Sequence, residues 1–269
     1  MIKILQLTDL HFGVIEDPAL DMKTQQLITR LISKVQPDLI AVTGDLVWSL
    51  TQDSLHTYSE LLAFINQFDV PFAVTFGNHD SEGEYGRDVL IAQLQEQSNF
   101  IDMMNAEVIM DRLNYFIELE DEGISHRLYF MDSGDYDVEQ FGEYAYIYLE
   151  QIEWLVNQER DYEGVSQLFI HIPLPEYADA KRSGLAEGHQ DETVCAPVLN
   201  TGLFSALFFQ TSVQSVYCGH DHDNDFTADY HGIRLNYGRV TGYNTYGELN
   251  RGGRVIEMEG SVIKSYIVE

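Results

Sequence analysis

Apolar runs alternate with helical patterns along the first half of the chain. The apolar runs lie at residues 2–7, 39–42 and 72–76. The helical patterns, in which apolar residues recur at helical spacing, lie at residues 17–35, 54–68 and 88–97. Proline has no amide proton to donate, so Pro37 stops the first helix close to its predicted end. Strands that alternate with short helices predict βα units and a parallel sheet.

Strand patterns dominate the second half of the chain. They lie at residues 114–119, 127–132, 168–170, 213–218, 233–237, 254–258 and 262–267. Together with the first half they predict an α/β fold in which two sheets pack as a β-sandwich with helices on the outside. The longest irregular stretch is segment 173–200. Loops of this length are commonly lids or binding loops, with disorder as the alternative.

The composition is typical of a packed globule. The chain has 269 residues, of which 45% are hydrophobic and 12% aromatic, so it can bury a sizeable core. We find no break in composition, linker-like tract or internal repeat, and we therefore predict a single domain over residues 1–269. The acidic stretch at residues 118–122 is expected to form a solvated hairpin end.

The formal net charge narrows the range of partners. The chain has 15 lysines and arginines against 44 aspartates and glutamates, which gives −29. Such a charge repels nucleic acids and anionic lipid surfaces, so we expect neither nucleic acid nor membrane as a partner. Small phosphate esters stay compatible with it, because bound metal cations can reverse the potential locally.

Three features bear on the location of the protein. The chain starts directly with a predicted strand, which indicates that there is no signal peptide to remove. No apolar run approaches the roughly 18 residues of a membrane span. Cys195 and Cys218 are too few for a disulfide framework. We therefore expect a reduced, cytoplasmic setting.

A polar motif follows each of five predicted strands. The motifs are Asp9-Leu10-His11, Gly44-Asp45, Gly77-Asn78-His79-Asp80, His171 and Gly219-His220-Asp221-His222. Each has a plain alternative, since Gly-Asp alone is typical of a turn and a single histidine of a core or capping residue. Open α/β sheets, however, build their sites just outside the carboxyl ends of their strands. The five motifs together predict imidazole, carboxylate and amide ligands for a two-metal hydrolytic site.

The motifs resemble, in order and wording, those of the calcineurin-like metallophosphoesterase superfamily, and the resemblance covers nearly the whole chain. Four further phrases are similar to a branch of fungal and plant proteins often called purple-acid-phosphatase-like, and to their bacterial relatives. These phrases are residues 171–176 (HIPLPE), 200–204 (NTGLF), 219–226 (GHDHDNDF) and 237–243 (YGRVTGY). The resemblance implies the family's fold, a two-sheet β-sandwich flanked by helices in four layers, αββα.

The resemblance also implies a role for each metal ligand. Asp45 stands in the family's bridging position between two ions. The first ion also takes Asp9, His11 and His222, and the second also takes Asn78, His171 and His220. Two divalent transition-metal ions suit these nitrogen and oxygen donors, with Mn²⁺, Fe²⁺ and Zn²⁺ all compatible. A hydroxide that bridges two such ions can attack a phosphoester in line, without a protein nucleophile.

His79 is the candidate general acid. It directly follows Asn78, and adjacent residues on an extended chain point apart, so we do not expect His79 to be a ligand. In the family pattern this histidine faces the leaving group, where it can donate a proton. We expect Asp80 to orient and charge His79. A buried structural histidine is the alternative for His79 taken alone.

Substrate contacts are less well defined. The candidates are His189, Arg239 and Tyr243. A structural ion pair explains Arg239 as well as a phosphate contact does. The remaining histidines, His56, His126 and His231, are expected at the surface.

Segment 173–200 starts two residues after His171, so we expect it to form a flap that faces substrate. An anionic substrate needs polar partners once it leaves water. The segment offers aromatic and cationic groups in Tyr177, Lys181, Arg182 and His189.

One position departs from the resemblance. True purple acid phosphatases have a tyrosine three residues after the bridging aspartate, and its phenolate ligates ferric iron. Trp48 stands at that position here. Tryptophan cannot ligate iron in this way, so the ferric charge-transfer colour is expected to be absent.

The sequence therefore predicts a dinuclear metal-dependent phosphoesterase that hydrolyses a phosphomonoester or a small phosphodiester. The alternative enzyme is a phosphoprotein phosphatase, which an exposed, shallow cleft would favour. The alternative from another class is a non-catalytic binding module on the same fold. The presence of all seven expected ligands argues against this alternative. The oligomeric state is left open.

Overall fold

The computed structural model describes residues 1–13, 17–48, 51 and 53–269. The strands in this part of the chain are β1 (Ile2–Leu7), β2 (Leu39–Thr43), β3 (Phe72–Thr75), β4 (Met104–Ile109), β5 (Arg112–Asp121), β6 (Ile124–Met131), β7 (Val165–Phe169), β8 (Val213–Cys218), β9 (Thr227–Tyr230), β10 (Ile233–Tyr237), β11 (Gly253–Glu259) and β12 (Val262–Val268). The helices are α1 (Ala19–Val35), α2 (Ser54–Asn66), α3 (Arg87–Gln95), α4 (Leu149–Glu159), α5 (Glu176–Arg182) and α6 (Leu203–Gln210).

The strands form two mixed sheets. The first sheet has the order β12-β11-β1-β2-β3, and the second has the order β4-β5-β6-β7-β8-β10-β9. Strands β1, β2 and β3 are parallel to one another, and so are β6, β7, β8 and β10. The predicted two-sheet α/β fold with flanking helices is confirmed. Parallel strands end at the same edge of a sheet, which is where the predicted ligands follow them.

Successive residues of the second sheet point to opposite faces, and each face joins a different core. The face toward the first sheet carries a ladder of aromatic rings across four neighbouring strands. Tyr115 stacks on Phe130 at a centroid distance of 5.2 Å, Phe130 on Phe169 at 4.8 Å, and Phe169 on Tyr217 at 5.0 Å. Helices α1, α2 and α3 bury their apolar faces in this same core. The opposite face packs against α4, α5 and α6.

The structure corrects parts of the sequence prediction. Segment 173–200 is not irregular throughout, because α5 occupies its first part. Elements α4, α6, β4 and β9 were not predicted; of these, α6 and β9 have 8 and 4 residues and give little periodic signal. His126 is buried, not exposed, because its strand β6 lies between β5 and β7. Among the described helices, none combines the length and hydrophobicity needed to cross a membrane.

The open edge of the first sheet is covered by the second. Strand β3 is the outermost strand of the first sheet. On its outer side Phe72 bonds the backbone of Asn99 and Ile101, while Val74, two residues on, bonds a side chain of the second sheet. The Tyr115 hydroxyl accepts a hydrogen bond from the Val74 amide and donates one to the Val74 carbonyl, both at 2.8 Å. Tyr115 is fully buried. This hydroxyl therefore links the two sheets at the β3 edge.

We expect Tyr115→Phe to lower the free energy of unfolding by about 1–3 kcal/mol, because it leaves both Val74 backbone groups buried without a partner. Urea denaturation measures the change. The matched control is Tyr266→Phe, which removes a hydroxyl from an exposed ring. A loss for Tyr115→Phe no larger than that of the control would contradict this role.

Candidate metal centre

The ends of β1, β2, β3, β7 and β8 meet where the two sheets approach each other. The side-chain Nε2 of Gln6 donates to the Cys218 carbonyl at 3.0 Å, which links the first sheet to the second. The His220 amide donates to Asp9 Oδ1 at 3.1 Å across the same gap. The His171 Nδ1–H donates to the Thr43 carbonyl at 2.8 Å. Residues from distant parts of the sequence thus converge in one buried cluster.

Asp9, His11 and His222 form the first group of potential ligands. His222 Nε2 lies 3.5 Å from Asp9 Oδ1, and its Nδ1 lies 2.8 Å from the Thr245 hydroxyl. Because the Thr245 hydroxyl and the Tyr246 carbonyl both contact His222 Nδ1, the Nε2 atom is left for a metal. Both ring nitrogens of His11 are buried without a hydrogen-bond partner among the described residues. Such unpaired nitrogens suit metal ligation.

Asp45, His171 and His220 form the second group. His171 Nε2 lies 3.3 Å from Asp45 Oδ2, 3.3 Å from His220 Nδ1 and 3.2 Å from Asn78 Oδ1. The bond from His171 Nδ1 to Thr43 fixes the tautomer and turns Nε2 toward these donors. Several lone pairs therefore point at one small space, as expected for atoms that share a cation.

Asp45 connects the two groups. Its Oδ2 lies 3.5 Å from His11 Nε2 and 3.3 Å from His171 Nε2, so one carboxylate faces both sets of imidazoles. The structure thus brings all seven predicted ligands together. Two carboxylates, four imidazoles and one amide oxygen fit a pair of divalent transition-metal ions.

The backbone of the centre is strained. Asp9, His11, Asp45 and His220 all have left-handed backbones, with φ of 54°, 46°, 52° and 81°. Non-glycine residues rarely adopt this conformation, and it is found where a site imposes it. A Cβ atom at Gly44, where φ is 85°, would collide with the His171 imidazole. Glycine is required at position 44 because the His171 ring lies so close to the backbone there.

Burial and charge shape the protonation of the cluster. Burial lowers the pKa of His11 and of His220 to about 3. Burial alone would also lower the pKa of His171, but the Asp45 carboxylate outweighs it and raises that pKa to about 10. Burial would raise the pKa of Asp45, yet His171 and His11 hold it well below its usual range. These shifts favour neutral His11 and His220 and an ionised Asp45, the forms that bind a metal.

His79 lies beside the ligands. Its ring is 5.4 Å from the His11 ring and 6.4 Å from the Trp48 ring, measured between centroids. Its backbone amide donates to Asp45 Oδ1 at 3.0 Å, which fixes its distance from the bridging position. Burial alone would lower the pKa of His79, but Asp45 and Glu82 raise it above its ordinary value. A raised pKa favours the protonated imidazole, which is the form that can donate a proton.

Comparison with known proteins agrees with this geometry. The family model for calcineurin-like phosphoesterases matches residues 2–224. The chain belongs to the calcineurin-like phosphoesterase family. The predicted resemblance to purple-acid-phosphatase-like plant and fungal proteins is also confirmed.

Individual relatives show how far the similarity extends. An Arabidopsis thaliana protein named probable inactive purple acid phosphatase 14 is 29% identical over 98% of this chain and 76% of its own length. The Saccharomyces cerevisiae protein named phosphatase DCR2 is 30% identical over 83% of this chain and 44% of its own length. The structure of a dimetal phosphatase from Danio rerio has a TM-score of 0.69 at 13% identity and covers 99% of this chain and 95% of that one. The last match shows a shared fold.

Asp80 does not orient His79, although it belongs to the same family motif. Its Oδ1 accepts from the amides of Leu46 and Val47 at 2.7 and 3.2 Å. Its Oδ2 accepts from the amides of Asp45 and Gly77 at 3.0 and 2.7 Å. The carboxylate of Asp80 therefore binds the backbone that carries the bridging position. The side chain that contacts His79 is Glu82, whose Oε2 lies 2.6 Å from His79 Nδ1.

The three candidate substrate contacts each have partners outside the seven predicted ligands. Arg239 is 4% exposed and forms ion pairs with Asp225 and Glu269. His189 Nδ1 lies 3.2 Å from both carboxylate oxygens of Asp225. These contacts support the structural ion pair for Arg239.

Tyr243 packs against the core of the first sheet. Its amide donates to the Thr24 hydroxyl of α1 at 3.0 Å. The ring has Lys23 Nζ 5.7 Å from its centroid. Tyr243 therefore packs against α1.

The first part of segment 173–200 also differs from expectation. Tyr177 is fully buried, and its hydroxyl donates to backbone carbonyls of β8 and β10. Lys181 donates to the Glu192 carbonyl, and Arg182 pairs with Asp179 on its own helix. A short amphipathic helix explains these contacts, because α5 turns its aromatic residue inward. The later part of the segment lies nearer the centre, where Cys195 and Glu192 approach Asp221.

Aromatic residues around the cluster were missed from the sequence. Tyr144 meets the His220 ring edge-on at 4.4 Å, and Tyr246 stacks on His222 at 4.0 Å. Tyr136 stacks on Tyr144 at 6.1 Å. These tyrosines come from loops without a motif or periodic pattern, so no local signal marks them. Glu82 had one available signal, its position three residues after His79 within a turn.

We expect Asp80→Asn to lower the free energy of unfolding by about 1.5–3 kcal/mol, because hydrogen bonds to a charged group are lost. In either orientation of the amide, its NH₂ group faces two backbone amides that need an acceptor. Urea denaturation of the metal-free protein tests this, with the exposed Asp102→Asn as control. Unchanged stability with a large loss of activity would instead favour the orienting role.

Proposed function

We propose that this protein is a dinuclear metal-dependent phosphoesterase that hydrolyses a phosphomonoester or a small phosphodiester. The observation that carries the proposal is the position of Asp45 Oδ2 between His11 Nε2 and His171 Nε2, at 3.5 and 3.3 Å. One carboxylate that faces two sets of ligands suits a pair of metal ions. Membership of the calcineurin-like phosphoesterase family supports the same reaction class.

The chain's own residues divide the work of such a reaction. When bound, two divalent ions supply an activated water and neutralise charge on the phosphoryl oxygens. Asp9, Asp45 and the surrounding imidazoles would hold and orient these ions. His79 holds a proton at the edge of the cluster, from which it can protonate the leaving oxygen. No side-chain nucleophile is required.

The surroundings of the centre favour a small ester. Tyr136 and Tyr246 are 39% and 56% exposed, so aromatic surface flanks the cluster and can pack against a leaving group. Lys181 and Arg182 are bound elsewhere and do not form a cationic groove for a phosphopeptide. Mn²⁺, Fe²⁺ and Zn²⁺ all suit the donors.

The names of the plant relatives favour a second candidate, a non-catalytic binding module on the same fold. Three Arabidopsis thaliana relatives are named as probable inactive purple acid phosphatases. The seven donors and His79 are all present in this chain, which supports catalysis. Turnover by the metal-loaded protein separates the two candidates.

The test is to reconstitute metal-free protein with Mn²⁺, Fe²⁺ or Zn²⁺ and to assay aryl phosphate monoesters, aryl phosphodiesters and a phosphopeptide. We expect metal-dependent hydrolysis of a small ester with a higher kcat/KM than for the phosphopeptide. A higher kcat/KM for the phosphopeptide would favour a phosphoprotein phosphatase. No turnover with any of the three metals would favour the binding module.

We expect two metal ions per chain in the wild type and a loss at both sites in Asp45→Asn, because Asp45 faces both groups of ligands. Elemental analysis after dialysis measures the content. Asp102→Asn is the control, since it removes a carboxylate from an exposed position outside the cluster. At most one ion per chain in the saturated wild type would contradict a dinuclear centre.

We expect iron-loaded, air-oxidised protein to lack an intense visible band from tyrosinate. Trp48 contacts His11 edge-on at a centroid distance of 5.6 Å, so an indole stands where a phenolate would be needed. Absorption spectroscopy of the wild type and of Trp48→Tyr tests the assignment. A tyrosinate band in the wild type would mean that another tyrosine reaches the metal.

A further inference from the structure

His79, Glu82 and Tyr136 form a chain of hydrogen bonds beside the metal centre. Glu82 Oε2 lies 2.6 Å from His79 Nδ1, and the Tyr136 hydroxyl donates to Glu82 Oε1 at 2.6 Å. The Glu82 amide donates to the His79 carbonyl at 3.3 Å, so these two residues close a turn. Asn78 Nδ2 donates to the Tyr136 hydroxyl at 3.4 Å, so these hydrogen bonds also include a proposed metal ligand.

Two loops are fixed together beneath these contacts. The Ser81 hydroxyl donates to Asp135 Oδ2 at 2.6 Å, which ties the turn containing Glu82 to the residue next to Tyr136. Arg87 reinforces the link, because it donates to the Gly77 carbonyl at 2.8 Å and to Asp132 Oδ2 at 2.7 Å. The loop that carries His79 and the loop that carries Tyr136 are therefore held in a fixed relation.

The contacts determine which nitrogen of His79 is free. A carboxylate only accepts hydrogen bonds, so Glu82 keeps a proton on His79 Nδ1. Nε2 is then the atom left to meet a leaving group. With one Glu82 oxygen taken by Tyr136, the carboxylate has a fixed orientation. Asp80 cannot serve instead, since four backbone amides occupy it.

We infer that Glu82, itself held by Tyr136, is the positioning residue that fixes the ring and the tautomer of His79 for proton donation to the leaving group. The inference rests on the proposed phosphoesterase function. A histidine that acts as an acid needs an oriented ring with the right nitrogen facing substrate. In this protein the partner comes from three residues after His79, and a tyrosine from a separate loop supports it.

The first test compares esters with poor and good leaving groups, phenyl phosphate and 2,4-dinitrophenyl phosphate, on the Mn²⁺-loaded protein. Glu82→Ala is expected to lower kcat for phenyl phosphate by roughly 10- to 100-fold and to affect the activated ester much less. KM and metal content are expected to hold. Glu82→Gln should recover part of the loss, because its amide oxygen still accepts from Nδ1–H.

The matched control is Glu84→Ala, which removes a glutamate from an exposed position two residues away. Tyr136→Phe is expected to give a smaller loss with the same dependence on leaving group. Adding Glu82→Ala to His79→Gln is expected to cause no further loss, since a positioning residue acts only through its partner. Equal losses for both esters, loss of metal, or a full additional loss in the double variant would overturn the inference.

A second readout does not depend on turnover. In Zn²⁺-loaded protein, ¹H–¹⁵N correlation spectra of the histidine rings are expected to show a proton on His79 Nδ1 in the wild type, and a redistribution between the ring nitrogens in Glu82→Ala. A wild type without this proton would overturn the pairing whatever the activity. A wild type that shows it but hydrolyses no ester would overturn the proposed function and the catalytic role, while the pairing of His79 with Glu82 would stand.

Discussion

The centre depends on the carboxylate of Asp45, which is buried at the line where the two sheets meet. One of its oxygens faces His11 and His171, and the other accepts the backbone amide of His79. A buried charge is unfavourable unless opposite charge and hydrogen bonds compensate it. Imidazoles with unpaired nitrogens compensate it only in part, so cations between them are the natural completion of the cluster. The placement of Asp45 therefore decides both the geometry and the chemistry of the site.

Holding that carboxylate requires a strained backbone, and the fold supplies the means. Left-handed residues at the centre cost on the order of 1–3 kcal/mol each. Asp80 offsets part of this cost, because its carboxylate binds the amides on both sides of the bridging position. The aromatic ladder between the sheets and the cross-sheet hydroxyl of Tyr115 keep the two halves at a fixed separation. Stability located in the core thus permits strain at the strand ends.

The sequence predicted what local pattern determines. Strand periodicity placed Asp9, Asp45 and His171 at strand ends, and parallel strands bring such ends together. The sequence could not predict which contacts the side chains within one motif make. Asp80 was therefore wrongly paired with His79, whereas tertiary packing directs the Asp80 carboxylate to backbone amides. The prediction that Tyr177 faces substrate was wrong for a related reason. Its inward orientation is set by α5, a helix too short to detect from the sequence. Neighbours from other loops, such as Tyr136, had no signal at all.

The ligands and their surroundings follow different constraints. Seven donors must meet at a fixed geometry, so each position needs a nitrogen or oxygen atom at a defined place. The residues around them need only complete a local network, and here Trp48 and Glu82 occupy the two sides of the proposed acid. Relatives named as a phosphatase and as probably inactive have similar identities to this chain, 30% over 83% of it and 29% over 98% of it. Sequence identity therefore does not decide between the two candidate functions of this chain, which depend on the residues around Asp45 and His79.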